Sequence, residues 1–391
     1  MNIEAMIKRR QRRDGESRLI EDYEHLSAAA HVEEPTDRSR LLEELLDHFD
    51  PVFDDHLPPH GYLYGPKGAG KSAVVTALFA HLGRQRITPG NAIYTATRVR
   101  PSRLLQFVYV DTRHRTSEFA FYHTLLDAIT DERVPRHGIS TETLRERLHR
   151  QLGDANAGLL LAVDHVGEPG STPADALVDR FAALPSGVSW LAIGRTEPAE
   201  TVLTDYTAEA IRVEPYRFHV LVNVVLRRAA SGLDHAALGY EGVSTIAEWA
   251  DGDAHDALAA LFVAADRAAR ADHTTITTAD LDAAFEEVPD DGVALGRVFA
   301  LPANKQTVLR ELVELDPADR ASVTVATSAI AASTSNELAE GTIKRYLYEL
   351  AAVGIVDRVR WENDAEQGRP PSRLEPKFPP TVFRRLYDLE A

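Results

Sequence analysis

Gly65-Pro66-Lys67-Gly68-Ala69-Gly70-Lys71-Ser72 is a complete G-x-x-x-x-G-K-[ST] phosphate-binding loop. An apolar lead-in, Gly61 to Tyr64, precedes it, and a helical pattern, Ala73-Val74-Val75-Thr76-Ala77-Leu78-Phe79, follows. Strand–loop–helix is the setting the motif needs, because its glycines let successive backbone N–H groups turn toward phosphate. The helix N-terminus adds partial positive charge. Lys71 reaches the β- and γ-phosphates, and Ser72 offers a hydroxyl ligand to Mg2+. The loop predicts a chain that binds ATP, ADP or a similar nucleotide.

Working outward, three further short apolar runs have the look of buried parallel strands: Phe107-Val108-Tyr109-Val110, Leu159-Leu160-Leu161-Ala162-Val163 and Trp190-Leu191-Ala192-Ile193. Helical stretches separate them, and a helical period from Pro35 to Asp54 precedes the loop. With the strand before the loop, these runs predict an α/β core, a parallel sheet wrapped by helices. The second run delivers Asp164 at its C-terminal edge, where a carboxylate can complete the Mg2+ shell opposite Ser72. The next position, where P-loop NTPases usually carry a glutamate that polarises water, is His165 here; Glu168 stands three residues further on. His165, with an ordinary pKa of about 6.5, and Glu168 are the candidates for a catalytic base. The alternative is that the replacement leaves hydrolysis slow.

Composition bounds the rest. The 391 residues suffice for two or three domains, and there is no cysteine, which excludes disulfides, thiolate zinc sites and cysteine nucleophiles. No apolar run approaches the roughly 18 residues of a membrane span, so a cytoplasmic protein without a membrane partner is expected. The net charge is −17, and only six residues are lysine. Such an acidic, lysine-poor composition suits a high-salt cytoplasm, where charge is screened within about 3 Å at 1 M salt. In that setting overall acidity no longer argues against a nucleic-acid partner, and local charge decides. The basic run Lys8 to Arg13 fits either a nucleic-acid arm or a solvated extension.

After Pro215 the pattern becomes helical throughout: Phe218 to Ala230, Val243 to Ala250, Ala254 to Ala269 and Thr278 to Val288, with Thr278 or Asp280 as the expected cap of the last. Pro289-Asp290-Asp291-Gly292 is the expected linker. Beyond it, Thr342 to Val353 forms a helix closed by Gly354, with Ile343, Tyr346, Leu347, Leu350 and Val353 on its inner face. Thr342, Lys344, Arg345 and Tyr348 project outward, as a recognition helix in a major groove requires. The next strand carries Arg358 and Arg360, and a hairpin tip containing Arg369 and Arg373 makes a wing suited to phosphates or the minor groove. Helix–hairpin units of this kind also bind protein, so the spacing alone leaves both partners open.

These elements in this order resemble the archaeal Orc1/Cdc6 replication initiators. Supporting segments are Ile20-Glu21-Asp22-Tyr23, Pro35-Thr36-Asp37-Arg38, Tyr109-Val110-Asp111-Thr112-Arg113, Ile211-Arg212-Val213-Glu214-Pro215-Tyr216, Gly252-Asp253-Ala254-His255-Asp256-Ala257-Leu258 and Leu347-Tyr348-Glu349-Leu350. The resemblance implies an N-terminal extension (1–35), an AAA+ base (36–213), a helical lid (214–290) and a C-terminal winged-helix domain (291–391). It also implies a nucleotide held by Gly65, Pro66, Lys67, Gly68, Ala69, Gly70, Lys71, Ser72, Ala73 and Asp164, with Tyr216 and His255 reaching it from hinge and lid. Double-stranded DNA at an origin-like site is the implied partner, with other initiator or helicase subunits as further candidates. The departures concern turnover. His255 replaces the lid's arginine sensor, and Ile193-Gly194-Arg195-Thr196-Glu197 lacks the Ser-Asn pair of the first sensor, leaving Arg195 or Thr196 as substitutes. No arginine lies between Arg195 and Arg212 to act as a finger, a device worth about 10³–10⁵ in rate where it operates. The expectation is a divergent, salt-adapted relative that binds nucleotide and turns it over weakly.

Overall fold

The computed structural model describes residues 19–30, 35, 37–87, 104–113, 117–130, 132–153, 157–333, 338–360 and 372–390. The basic run at 8–13 and the wing tip with Arg369 lie outside the described residues. The chain divides into two compact units, one of residues 31–215 and one of residues 1–30 with 216–391.

The 31–215 unit is built on a five-stranded parallel sheet of β1 (Gly61–Tyr64), β2 (Leu104–Asp111), β3 (Ala157–Val166), β4 (Val188–Gly194) and β5 (Glu209–Arg212), in the order β2-β3-β4-β1-β5. β3 shows why an unbroken apolar run is needed. Leu159, Leu161 and Val163 pack on one face with Phe121, Leu125 and Leu148; Leu160 and Ala162 pack on the other with Val74, Val75 and Leu45. Side chains alternate across a strand, so a strand covered by helices on both faces must be apolar at every position. β5 escapes the sequence reading, which expects four strands. It is an edge strand with only Ile211 buried, so it carries no apolar run. The helical period at 35–54 resolves into a helix Ser39–His48 followed by a short 3-10 turn at Asp50–Asp54.

The other unit is helical. Ile20 bridges Leu233, and a short helix Tyr23–Leu26 packs with the helices Phe218–Gly232 and Ala254–Arg270 around one apolar cluster. The cap of helix Thr278–Glu287 is Thr277 rather than Thr278 or Asp280. Its hydroxyl accepts from the Asp280 N–H, and the Asp280 carboxylate accepts from the Thr277 N–H, so Asp280 is the second half of a capping box. Pro289 to Gly292 forms a turn, with the Gly292 N–H on the Pro289 carbonyl. Beyond it lie helices Ala303–Glu314, Val323–Ala332 and Glu340–Ala352, an antiparallel hairpin of β6 (Val356–Arg360) and β7 (Ser372–Pro376), and a closing helix Pro380–Glu390. This helix–hairpin set is a winged helix, and its core residues Ile343, Leu347, Leu350 and Phe383 join the same apolar cluster as the preceding helices. Among the described residues no helix is long and apolar enough to cross a membrane.

Candidate functional site

The phosphate loop leaves β1 on a backbone only glycine adopts without strain. Gly65, Gly68 and Gly70 have φ of 154°, 66° and 83°. Lys71, almost fully buried at the start of helix Lys71–Ile87, donates through Nζ to the carbonyls of Gly65 and Pro66, at 2.7 Å each. Arg38 donates through Nη2 to the Ala69 carbonyl at 2.5 Å, tying the segment before helix Ser39–His48 to the loop. That contact is absent from the site expected on sequence; its only trace there was Arg38's place in the Pro-Thr-Asp-Arg segment.

Ser72 and the buried Asp164 are brought together by a residue the sequence reading did not assign to the site. The Tyr109 phenol, at the end of β2, donates to Asp164 Oδ2 and also hydrogen-bonds Ser72. Burial, then the Asp164 charge, push this phenol well above its ordinary pKa, so it stays a neutral donor. A hydroxyl and a carboxylate on one phenol form an all-oxygen set, which suits Mg2+ and not a softer metal.

Where β3 meets β4 the register shifts between Val163 and Val166, and His165 takes a left-handed φ of 61°. Thr112 holds this bulge, donating its hydroxyl to the carbonyls of Asp164 (2.7 Å) and His165 (3.1 Å). A bulge re-aims a side chain. His165 accordingly sits with Nδ1 3.2 Å from Glu168 Oε1 and Nε2 3.6 Å from Asp164 and 4.0 Å from Asp111. Arg195 Nε lies 2.9 Å from Glu168, and Asp111 is held by Arg113 Nη2 at 2.6 Å. The expected catalytic pair is therefore in one place, with Arg195 on Glu168, while Thr196 accepts the Tyr62 hydroxyl on its carbonyl.

Burial opposes ionisation of Glu168, but the His165 hydrogen bond and the Arg195 charge outweigh it and hold the carboxyl at about 2 against an ordinary 4.5. A depressed carboxyl stabilises the fold above its unfolded pKa and loses that contribution as pH falls through its folded one. Glu168 is thus expected to contribute roughly 3 kcal/mol above pH 4.5, lost between there and about pH 2. Denaturant unfolding of wild type and Glu168→Gln across that range should show the difference shrinking as acid is added. A pH-independent difference would contradict it.

Tyr216 and His255 belong to the other unit. The Tyr216 N–H donates to the Gly252 carbonyl at 3.1 Å. His255 Nε2 accepts from the Leu295 N–H at 2.9 Å, so the ring proton sits on Nδ1, which donates to Asp256 at 3.1 Å. Both ring nitrogens are engaged inside that unit.

On helix Glu340–Ala352 the inner face is Ile343, Leu347 and Leu350, with Tyr346 and Val353 only half-buried. Thr342 and Lys344 are half-buried, and Arg345 and Tyr348 are exposed. Arg345 lies over the Tyr346 ring (5.2 Å) and 3.6 Å from Glu349; Arg373, on β7, pairs with Glu375.

Residues 34–193 match the AAA ATPase domain family. The chain is 24% identical over 289 residues to the ORC1-type DNA replication protein 1 of Sulfolobus acidocaldarius, spanning 71% of this chain and 68% of the relative. Among solved structures it is similar to the Aeropyrum pernix ORC1 protein in complex with DNA, with a TM-score of 0.60, 21% identity, and 96% and 98% of the two chains covered. It is also similar to the Aeropyrum pernix ORC2 protein in its ADPNP–ADP complexes, with a TM-score of 0.56, 16% identity, and 95% and 98% covered.

Proposed function

We propose that this chain, a protein of the Orc1/Cdc6 type with an AAA ATPase domain, is a nucleotide-dependent DNA-binding switch in the initiation or regulation of DNA replication, working in a salt-rich cytoplasm. The observation that carries the reading is the joining of Ser72 and Asp164 through Tyr109 beside an intact phosphate loop. Gly65 to Ala73 would cradle the phosphates of ATP or ADP, with Lys71 releasing its loop carbonyls for them. Ser72 and Asp164 would hold Mg2+, which when bound neutralises phosphate charge. The base is assigned to 36–213, the lid to 214–290 and the winged helix to 291–391, with Tyr216 and His255 at the hinge and lid conveying the nucleotide state. Thr342, Lys344, Arg345, Tyr348, Arg369 and Arg373 are the residues proposed to meet double-stranded DNA, and other initiator or helicase subunits are further partners.

Slow turnover follows from the groups around Asp164. A carboxylate held at about 2, as Glu168 is, accepts a proton from water poorly. His165 has its Nδ1 on that carboxylate. In molar KCl, wild type is expected to bind ATP and Lys71→Ala to lose it, while steady-state hydrolysis stays near background in both. Wild-type hydrolysis well above Lys71→Ala would instead make His165 or Glu168 the catalytic group of a working ATPase. Footprinting on the DNA upstream of the protein's own coding sequence tests the other half: absence of protection in high salt removes the DNA assignment and leaves the winged helix as a protein contact.

A further inference from the structure

Sequence places several cations on the winged helix, but the fold does not leave them equal. Arg345 shares Glu349 with Lys305, which reaches it at 2.9 Å, and Arg373 is paired with Glu375. Lys377 faces Asp357 at 3.7 Å. Each of these charges is answered at short range by a carboxylate of the same module.

Arg358 differs. It stands on the exposed side of β6 with its guanidinium 5.1 Å over the Tyr348 ring, and Nη2 donates to the Ser372 hydroxyl at 3.1 Å. Both contacts orient the group without cancelling its charge, and among the described residues no carboxylate pairs with it. Tyr348 is 42% exposed, so the stack faces outward. Lys344 lies one helical turn before Tyr348, hence on the same face, and it too has no carboxylate at ion-pair distance among the described residues.

We propose that Lys344, Tyr348 and Arg358 form a continuous cation–aromatic–cation strip that meets the DNA backbone, with Arg358 as its principal phosphate contact. The inference rests on the DNA-binding reading and assigns the binding charge to a residue outside the six proposed above. A guanidinium already fixed on a ring loses little freedom on binding, and its planar fork matches two phosphate oxygens. Cations already paired must give up a carboxylate first, which reduces what they add. Two phosphate contacts also suit a protein that works in concentrated salt. At about −0.9 per contact, the strip contributes only about −1.8 to the slope of log K against log[salt].

The test is fluorescence anisotropy of the full chain with a labelled mixed-sequence duplex across a KCl series. Arg358→Ala is expected to weaken binding about tenfold and to flatten the slope by about 0.9. Arg345→Ala and Arg373→Ala should each weaken binding by less than Arg358→Ala does, because their charges are already shared with Glu349 and Glu375. Tyr348→Ala removes the ring that orients the guanidinium and should lose part of the affinity with the slope kept, and Arg358→Lys should likewise keep the slope and lose part of the affinity. Should Arg345→Ala or Arg373→Ala cost more than Arg358→Ala, or Arg358→Ala leave the slope unaltered, the strip is wrong while DNA binding stands. A wild-type protein that binds no duplex overturns both, and makes the exposed face a protein contact.

Discussion

Replacing Asp266 with alanine is expected to destabilise the helical unit by about 3–5 kcal/mol, the cost of removing one partner from a buried ion pair. Asp266 has no exposed surface, although it sits near the end of helix Ala254–Arg270. Its carboxylate gathers three segments far apart in the chain. Arg270 reaches it at 2.7 Å from the next turn, Arg385 at 3.3 Å from the closing helix, and the Tyr23 hydroxyl donates to it at 3.1 Å from the N-terminal segment. Arg385 also lies 4.5 Å over the Tyr23 ring and donates to its hydroxyl at 2.7 Å. Without the carboxylate, Arg270 and Arg385 lose the anion they share. Both arginine side chains are close to half-exposed, so they can turn partly to water, which places the expected value at the lower end of that range. Urea unfolding at constant high salt reads the effect directly. Tyr23→Phe, which loses one hydrogen bond and keeps the stacking, should cost only about 1 kcal/mol. A loss below about 1 kcal/mol in Asp266→Ala would mean that the three segments are held by apolar packing alone.

How this network escapes a reading of the sequence shows what such a reading can reach. The phosphate loop, the apolar run into Asp164 and the Gly354 that closes helix Glu340–Ala352 are local patterns, set by strand alternation, glycine conformation and helix period. Gly354 indeed takes a left-handed φ of 70°. The fold class after the α/β core is legible through family resemblance, since the helices from Phe218 to Val288 show little by themselves beyond a helical period. What local patterns miss are pairings across long separations. Tyr109 reads as one more apolar strand position, and nothing near it announces that its hydroxyl meets Asp164 and Ser72, 55 and 37 positions away. Arg195 lies 27 positions from Glu168, and only the shared sheet edge brings them together. His255 is placed by the Gly-Asp-Ala segment, but its bonds to Asp256 and Leu295 are not legible there. Patterns within one element can be read from residues alone; pairings between elements require the register of the sheet and the packing of the helices.

Gly65→Ala is expected to weaken nucleotide binding by at least about a hundredfold, roughly 2.7 kcal/mol, and to destabilise the 31–215 unit as well. A Cβ on Gly65 would lie 2.3 Å from the Val213 carbonyl oxygen, 3.2 Å from its carbon and 3.3 Å from its Cβ. Two of these are backbone atoms, so no rotamer change relieves the clash. Val213 cannot retreat cheaply, because its N–H is bonded to the Tyr64 carbonyl at 2.7 Å and its side chain is buried in the cluster that underlies the loop. Either the exit of β5 parts from β1, or Gly65 turns and carries away a carbonyl that now holds Lys71. The φ of 154° adds strain of about 1–3 kcal/mol for any residue with a side chain. Gly83 is the control. It lies inside helix Lys71–Ile87 with nothing among the described residues within 4 Å of an added Cβ, so Gly83→Ala should stabilise the unit. The expected gain is about 0.5–1 kcal/mol, with nucleotide affinity unchanged. Calorimetric titration of ADP into both variants separates the two cases. If Gly65→Ala bound ADP within about threefold of wild type, the contact with Val213 would not be what holds the loop in shape, and its fit to phosphate would have to rest on Lys71 and the helix start alone.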